Sequence, residues 1–264
     1  MKEEGRVFRQ LSSSISPWEL PALFFDFDGT LSEIAKTPDE AVLYPGVREI
    51  LEGLSEREDM VGGVISGRSL SDIKNRVDVP GLVYSGNHGM EVEIAGKIFT
   101  LNGGDVKGEV ASFSNSVRGK VGAIRGVFIE DKTLSLSIHV RSVEVELIPI
   151  VKSRIQEALV GYENLLLREG KKVFEVLPKD STTKGDALEA ILRKVASDRN
   201  VDLYPVYFGD DITDKHIYDF LRKLGKGITV FVQGRDPIHL EADLVLDGPG
   251  EVLKEMTFLV HGTY

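Results

Sequence analysis

Short apolar segments alternate with amphipathic helical segments along most of this chain. ALFFDF and MVGGVISG are apolar runs of strand length, and VREILEGLSER carries apolar residues at helical spacing. Strands that alternate with helices in this way predict a parallel sheet covered by helices, which is an α/β fold. The predicted strands span 22–27, 60–67, 81–94, 203–211 and 227–234, and the predicted helices span 47–57, 69–77 and 182–196.

A different pattern interrupts this alternation between about 104 and 176. The stretch 133–140, TLSLSIHV, alternates apolar and polar residues, as an antiparallel strand with one exposed face does. A helical segment and a hairpin at 165–178 follow it. We therefore expect residues 1–103 and 177–264 to form one core domain, with 104–176 as a smaller α+β domain inserted into it.

Composition excludes several classes of function. The chain has 264 residues, no cysteine and a formal net charge of −10. Without cysteine it has no disulfide, thiolate zinc site or cysteine nucleophile, and an acidic chain is a poor general binder of nucleic acid or anionic membranes. Residues 1–20 lack the apolar run of a secretory signal and predict an irregular, partly ordered lead-in segment. No stretch approaches the roughly 18 apolar residues of a membrane span. We expect a cytoplasmic protein that binds neither nucleic acid nor membranes.

Carboxylates follow two of the predicted strands at the point where each strand ends. Asp26 and Asp28 end the apolar run in FFDFDGTLS, and Asp210, Asp211 and Asp214 follow another strand in YFGDDITD. Ligands of open parallel sheets bind beyond the carboxyl ends of the strands. Neighbouring like charges need a cation, a shared proton or a phosphoryl group to offset their repulsion. Hard carboxylate oxygens suit Mg²⁺, with Asp26 and Asp210 as the best ligand candidates.

Two further polar residues occupy comparable positions. Ser66 ends the second predicted strand, and Lys184 lies in the first turn of a predicted helix. A cation is disfavoured at a helix start, and an anion bound there would remove the conflict. Each feature alone has an ordinary structural explanation, such as a turn, a cap or a solvated lysine. Together and in this order, the four features indicate a site.

These four features resemble the four motifs of the haloacid dehalogenase superfamily of aspartate-based phosphatases: DFDGT, Ser66, Lys184 and GDDITD. The insert lies where that superfamily places a large cap, between the second and third motifs. The stretches SGNHGMEVE, FIEDKTLSLSIHVR and VFEVLP are similar to the trehalose-6-phosphate phosphatase family. The resemblance implies a Rossmann-like core with an α+β cap for substrate specificity. It also implies Mg²⁺-dependent hydrolysis of trehalose 6-phosphate in trehalose biosynthesis.

The resemblance further implies a role for each motif residue. Asp26 would attack phosphorus and form an aspartyl phosphate. Asp28 would protonate the leaving sugar oxygen and then deprotonate the attacking water. Thr30 and Ser66 would hydrogen-bond the phosphoryl oxygens, and Lys184 would neutralise charge on the nucleophile and the phosphate.

A metal site follows from the same resemblance. Magnesium would be held by Asp26, Asp210 and the backbone carbonyl of Asp28. Asp211 or Asp214 would support the site.

Candidates for substrate contacts lie in both predicted domains. They are Glu130, Lys132 and Glu175 in the insert, and Arg68, Asn87 and His88 in the core. The residues in the insert resemble positions that hold the sugar in the family, although each could be a surface charge. The histidine could equally be structural, and the arginine could contact phosphate or sugar or pair with an acid.

Three other readings stay open at this point. The first is a phosphatase for another sugar phosphate, such as sucrose phosphate, mannosylglycerate phosphate or a hexose phosphate. The second is a non-catalytic binding module, which the intact acidic and lysine motifs disfavour. The third is a receiver domain, which the insert of about 70 residues and the DxDGT arrangement disfavour. The sequence provides no basis for an association with a trehalose-phosphate synthase.

Overall fold

The computed structural model describes residues 5–101, 106–170, 172–234 and 240–262. The chain divides into two compact units. The first comprises Met1–Leu101 and Thr182–Tyr264, and the second comprises Asn102–Ser181. The insert predicted at 104–176 lies within the second unit. The assignment of catalysis to one domain and substrate specificity to the other stays a prediction.

The regular elements are numbered in chain order. The strands are β1 Glu19–Phe25, β2 Val61–Ile65, β3 Val83–Gly86, β4 Glu91–Ile94, β5 Lys97–Thr100, β6 Phe128–Asp131, β7 Leu136–His139, β8 Leu165–Gly170, β9 Val173–Pro178, β10 Asp202–Gly209, β11 Ile228–Val232 and β12 Leu244–Leu246. The α-helices are α1 Arg6–Ser14, α2 Val47–Ser55, α3 Leu70–Val77, α4 Lys107–Val121, α5 Ile148–Leu159, α6 Lys184–Arg199, α7 Lys215–Leu224 and α8 Gly248–His261. Short 3₁₀ turns lie at Pro38–Glu40, Asn87–Gly89, Val145–Leu147 and Ile212–Asp214.

The first unit is built on a sheet with the strand order β12-β11-β10-β1-β2-β3-β4-β5. The strands from β12 to β3 are parallel, and β4 and β5 pair antiparallel at one edge. Alternate residues of β1 enter different cores: Leu23 and Phe25 pack with residues of α2, α3 and α8, and Phe24 packs with residues of α6 and α7. Burial on both faces explains why these strands are continuously apolar in sequence. The predicted α/β fold is confirmed.

The second unit has a four-stranded antiparallel sheet with the order β6-β7-β9-β8. One face carries apolar side chains, among them Leu136, Ile138, Phe174 and Val176, which pack with residues of α4 and α5. The period-two pattern of TLSLSIHV therefore describes a strand with one face in this core and the other outside it.

A helix occupies part of the segment predicted to be irregular. Val7 and Leu11 of α1 are buried in the core that also contains residues of α8. Glu255 of α8 accepts hydrogen bonds from the backbone N–H groups of Arg6 and Val7, at 2.8 and 2.9 Å. Two apolar residues one turn apart are too weak a signal to predict a helix, and the carboxylate that caps it lies at the other end of the chain. Across the described ranges, none of the helices has the length and apolar character needed to cross a lipid bilayer.

Candidate active site

Three predicted site residues meet at one edge of the first sheet. Asp26 follows β1, Ser66 follows β2 and Asp210 follows β10, and these strands are parallel neighbours. Backbone hydrogen bonds continue past the strand ends, since Asp26 N–H donates to the carbonyl of Phe208 at 2.8 Å and Ser66 N–H donates to that of Ser85 at 2.9 Å. The carboxyl edge of the sheet therefore places the acidic residues side by side, as the strand pattern predicted.

Lys184 stands between two buried carboxylates. Its Nζ lies 2.8 Å from Asp26 Oδ2 and 2.7 Å from Asp214 Oδ1. The hydroxyl of Tyr207 also donates to Asp214 Oδ1, at 2.6 Å. Burial alone would lower the pKa of Lys184, but the charges of Asp214 and Asp26 outweigh it and raise that pKa above its ordinary value. The lysine is therefore a permanent cation of the site, and not a solvated lysine in a first helical turn.

The carboxyl group of Asp26 has more negative neighbours than its lysine can balance. Burial is the main cause that raises its pKa to about 7, Lys184 lowers it, and Asp214 and Asp28 raise it again. Asp26 Oδ1 accepts the N–H of Phe27 at 2.7 Å, which orients the carboxylate. A second cation would keep Asp26 ionised at neutral pH.

The residues present fit a divalent metal ion. Single carboxylate oxygens of Asp26, Asp210 and Asp214 all lie within 4.8 Å of one another. Asp210 Oδ1 is buried and has no hydrogen-bond partner among the described residues, a condition that is costly unless a cation is bound. A side chain at Gly29, whose φ is +78°, would overlap the Asp210 carboxylate, so glycine keeps this space open. An all-oxygen donor set of this kind suits Mg²⁺.

Burial raises the pKa of Asp210 well above its ordinary value, and the charges of Asp26 and Asp214 raise it further. Asp211 is not a member of this three-carboxylate cluster. Its side chain accepts the N–H of Ile212 at 2.7 Å and caps the turn Ile212–Asp214. The predicted ligand role of Asp211 stays a prediction, whereas Asp214 is the neighbour that points into the cluster.

Asp28 is paired with Arg68 through both carboxylate oxygens. Arg68 Nε lies 2.7 Å from Asp28 Oδ2, and Arg68 Nη2 lies 2.7 Å from Asp28 Oδ1. Arg68 Nη1 also donates to Asp72 Oδ2 at 2.9 Å. The sequence left open whether Arg68 contacts phosphate or sugar or pairs with an acid, and the structure shows it paired with two acids.

Several hydroxyl groups of the first unit are buried without a hydrogen-bond partner among the described residues. They belong to the predicted phosphate ligand Thr30, and to Ser85 and Thr182. Ser85 pairs in register with the last residue of β2, directly before Ser66, and Thr182 lies two residues before Lys184. Neither residue belongs to one of the four motifs, and adjacency to motif residues is the one signal for them in the sequence.

Asn87 and His88 form a strained turn beside the Ser66 loop. Both have positive φ values, +52° and +57°, which non-glycine residues adopt at a cost and often near functional sites. Asn87 N–H donates to the carbonyl of Arg68 at 2.6 Å, and His88 N–H donates to that of Ser66 at 3.1 Å. The Asn87 side chain donates to Glu91 at 2.8 Å. These two predicted substrate contacts thus lie next to the motif loop.

The predicted sugar contacts Glu130 and Glu175 share one face of the second sheet, and the third, Lys132, directly follows the end of β6. Glu130 is paired in register with Ser137, Ser137 with Glu175, and Lys132 lies two residues from Glu130. This face is opposite the apolar one. Glu130 Oε2 lies 2.9 Å from His139 Nε2, and Lys132 Nζ lies 4.0 Å from Glu175 Oε1. The second unit therefore groups these side chains on its polar face.

Known proteins are similar to this chain in sequence and in fold. Residues 24–244 match the trehalose-phosphatase family. Trehalose-phosphate phosphatase B of Arabidopsis thaliana is 30% identical over 250 residues, which are 90% of this chain and 66% of the plant protein. Trehalose-phosphate phosphatase of Mycobacterium tuberculosis (strain ATCC 25618 / H37Rv) is 32% identical over 234 residues, 88% of this chain and 59% of that protein. This chain thus spans less than two thirds of the mycobacterial relative.

Solved structures confirm the fold. The C-terminal domain of the C. albicans trehalose-6-phosphate phosphatase superposes with a TM-score of 0.77 at 20% identity, covering 98% of this chain and 97% of that one. A trehalose-6-phosphate phosphatase related protein superposes with a TM-score of 0.78 at 23% identity, covering 90% and 96% of the two chains. The resemblance noted in the motifs is confirmed, and the chain belongs to the trehalose-phosphatase family of the haloacid dehalogenase superfamily.

Proposed function

We propose that this protein is a Mg²⁺-dependent phosphatase that hydrolyses trehalose 6-phosphate to trehalose and inorganic phosphate, a step of trehalose biosynthesis. The observation that carries the proposal is the cluster of Asp26, Asp210 and Asp214, two of which, Asp26 and Asp214, are buried in contact with the ammonium of Lys184. Three carboxylates against one ammonium leave two negative charges unbalanced. A divalent cation balances them and prepares the site for a phosphoryl group.

Asp26 is the nucleophile of the first half-reaction. Lys184 and the N–H of Phe27 orient its carboxylate. One carboxylate oxygen of Asp26 forms a bond to phosphorus while the bond between phosphorus and the sugar oxygen breaks. Asp28 gives a proton to that oxygen. The products are an aspartyl phosphate and the free sugar.

Water completes the cycle in the second half-reaction. Asp28 takes a proton from water, and the water oxygen forms a bond to phosphorus. The bond between phosphorus and the Asp26 oxygen breaks, which releases inorganic phosphate and restores the Asp26 carboxylate. The single proton that Asp28 gave up in the first half-reaction is thereby recovered.

The phosphoryl oxygens need donors, and the first unit offers them. Thr30, Ser66 and Lys184 are the donors predicted from the motifs. The hydroxyls of Ser85 and Thr182, which have no hydrogen-bond partner among the residues that the structure describes, are proposed additional donors. A buried hydroxyl without a partner costs about 1–3 kcal/mol, which a bound phosphate would remove.

Asp26 and Asp210 would hold the magnesium ion with the backbone carbonyl of Asp28. When bound, the ion supplies positive charge to the carboxylates and to the phosphoryl oxygens. Asp214 accepts hydrogen bonds from Lys184 Nζ and from the Tyr207 hydroxyl, so its main role is to position the ammonium. Asp211 supports the turn that carries Asp214.

The substrate assignment rests on the family and on the polar face of the second unit. Relatives at about this level of identity carry the name trehalose-phosphate phosphatase. We assign Glu130, Lys132 and Glu175 to the hydroxyls of the disaccharide, because carboxylates accept paired hydroxyl donors well. Asn87 and His88 are assigned to the same substrate.

Phosphate release across a panel of sugar phosphates tests this function. The panel includes trehalose 6-phosphate, sucrose 6-phosphate, mannosylglycerate phosphate and glucose 6-phosphate, each with Mg²⁺ and with excess chelator. We expect trehalose 6-phosphate to have the highest kcat/KM, and Asp26→Asn to abolish release while circular dichroism stays unchanged. A higher kcat/KM for another sugar phosphate would identify a different substrate on the same scaffold. Release by no substrate would indicate a binding module.

A further inference from the structure

The carboxylate of Asp28 is held at both oxygens by one guanidinium, with both N···O distances at 2.7 Å. Two parallel charge-assisted hydrogen bonds define the direction and the plane of a carboxylate, which a lysine ammonium cannot do. The side chain of Asp28 is 38% exposed, whereas that of Arg68 is 7% exposed. Water can therefore reach the carboxylate while the guanidinium stays enclosed.

Arg68 is anchored on its other side as well. Its Nη1 donates to Asp72 Oδ2 at 2.9 Å, and its Nη2 donates to the carbonyl of Pro38 at 3.0 Å. The guanidinium carbon lies 5.3 Å from the centre of the Phe27 ring. Burial would raise the pKa of Asp72, but hydrogen bonds from Arg76 and Arg68 hold that pKa below its ordinary value. Asp72 is thus a charged anchor for the guanidinium.

The backbone of Arg68 is tied to the motif loops. Its N–H donates to Ser66 Oγ at 3.2 Å, and its carbonyl accepts the N–H of Asn87 at 2.6 Å. Side chain and backbone are therefore both restrained. An arginine restrained in this way can fix the position of Asp28 and does not depend on substrate for its own order.

The two half-reactions place different demands on Asp28. As an acid it must carry a proton on one oxygen, but as a base it needs an oxygen that can accept a proton from water. A carboxylate that accepts two N–H groups from a cation still has free lone pairs and is arranged as an acceptor. The pairing in the structure therefore suits the second half-reaction.

We propose that Arg68 is a positioning residue that holds Asp28 for the attack of water on the aspartyl phosphate. The inference rests on the proposed phosphatase function. It differs from the contact with phosphate or sugar that the sequence left open, because that role predicts a change in KM. The positioning role predicts a slower second half-reaction, with the aspartyl phosphate accumulating.

The test uses the full chain and four variants. Arg68→Ala removes the guanidinium. Arg68→Lys keeps the positive charge but cannot donate two parallel hydrogen bonds to Asp28. Asp72→Asn weakens the contact that holds the other side of the guanidinium. Arg222→Ala is the matched control, because Arg222 pairs with Asp219 and Glu241 on the surface. Circular dichroism and thermal melting establish that each variant is folded.

Steady-state kinetics use the best sugar phosphate, and rapid mixing uses p-nitrophenyl phosphate. For Arg68→Ala we expect kcat to fall by roughly 10- to 100-fold, less than the complete loss of acid–base catalysis, with KM nearly unchanged. p-Nitrophenolate leaves without a proton donor, so this variant should release a burst of about one equivalent per active site before a slow steady phase. Acid quenching should trap the aspartyl phosphate.

Arg68→Lys should show a smaller loss, and Asp72→Asn a smaller loss still in the same direction. Guanidinium ion, at concentrations far below those that unfold proteins, should restore part of the activity of Arg68→Ala and none of that of Arg68→Lys. The control should behave as wild type.

A raised KM with unchanged kcat would overturn the proposal and make Arg68 a substrate ligand. An active Arg68→Ala enzyme with neither burst nor trapped intermediate would also overturn it, and would leave the proposed function intact. If Arg68→Ala does not fold, the same burst and trapping measurements on Arg68→Lys and Asp72→Asn decide the question. Failure of the wild type itself on every phosphate ester would remove the proposed function instead.

Discussion

The ammonium of Lys184 lies 2.8 Å from Asp26 Oδ2, and both side chains are buried. The same ammonium contacts Asp214, so one cation serves two acids inside the first unit. Breaking such a buried arrangement on one side leaves charges without partners. This relationship makes the site sensitive to substitution, to pH and to metal.

Substitution of Lys184 by Met should inactivate the enzyme and destabilise the fold. We expect a loss of about 3–5 kcal/mol in the free energy of unfolding, because Asp26 and Asp214 remain buried without their cation. Denaturant titration in chelator measures this loss. Adding Asp214→Asn to Lys184→Met should recover part of the stability but none of the activity. Full additivity of the two losses would contradict the coupling.

The metal-free protein should become less stable as pH rises towards neutrality. Burial raises the pKa of Asp26 to about 7 in the folded state, from an ordinary value of 3.8. A folded state that binds more protons than the unfolded state loses stability as pH rises. The raised pKa of Asp26 therefore contributes a few kcal/mol to the free energy of unfolding below about pH 4. This stabilisation declines as pH rises and is lost at about pH 7. Unfolding in chelator at several pH values measures it, and Asp26→Asn should flatten the slope over this range. An equal slope in that variant would show that another group is responsible.

Magnesium should stabilise the protein and compete with protons at the same carboxylates. A ligand that binds only the folded state raises the melting temperature with its concentration. Asp210→Asn should remove the response to Mg²⁺ and most of the activity. Asp211→Asn should keep much of the response, because that carboxylate caps a turn. Loss of the response in Asp211→Asn alone would make Asp211 the ligand and contradict the fit described for Asp210.

Glu130 and Glu175 provide a test of the substrate assignment. Glu130→Gln and Glu175→Gln should each lower kcat/KM for trehalose 6-phosphate by roughly 10- to 100-fold. This loss corresponds to a hydrogen bond to a charged group, which contributes about 1.5–3 kcal/mol. Turnover of p-nitrophenyl phosphate should barely change, because it has no sugar. The control is Glu169→Gln. Glu169 lies on β8 of the same unit and pairs with Lys152. Equal losses on both substrates would indicate a structural role.

Removal of the Glu255 carboxylate should destabilise the protein without changing its chemistry. Glu255→Ala leaves the N–H groups of Arg6 and Val7 without their acceptor, which we expect to cost about 1–3 kcal/mol. Glu251→Gln, at the exposed Arg6 pair, should have little effect. Denaturant unfolding measures both, and kcat should remain at the wild-type value. A loss of kcat in Glu255→Ala at temperatures where it is fully folded would contradict a purely structural role.

Local pattern was sufficient to predict the strand ends that carry Asp26, Ser66 and Asp210. A buried strand is a run of apolar residues, and its end is visible where polar residues begin. In a parallel sheet, equivalent ends lie on the same edge, so the three residues could be placed together without coordinates. Glu130 and Glu175 were predicted only from the family resemblance, and the register of β6, β7 and β9 is what places them on one face.

The choice between Asp211 and Asp214 could not be made from the sequence. Both follow the same strand within a few residues, and either could support a metal. The turn Ile212–Asp214 leaves Asp211 as its cap and brings Asp214 to Tyr207 and to Lys184, 30 residues away in the chain. That choice depends on which carboxylate meets a buried cation, and no local pattern contains this information.

By itself the sequence determined the α/β class, the strand-end acids and the family, because these depend on periodicity and on short motifs. Only the tertiary structure decided that Arg68 holds Asp28, that Glu255 caps α1, and that the hydroxyls of Ser85 and Thr182 are buried with no hydrogen-bond partner in the described part of the chain. Each of these features depends on which polar groups are buried away from water and which protein group then takes the place of water as hydrogen-bond partner. Partners far apart in the chain meet only after the sheets and helices have packed.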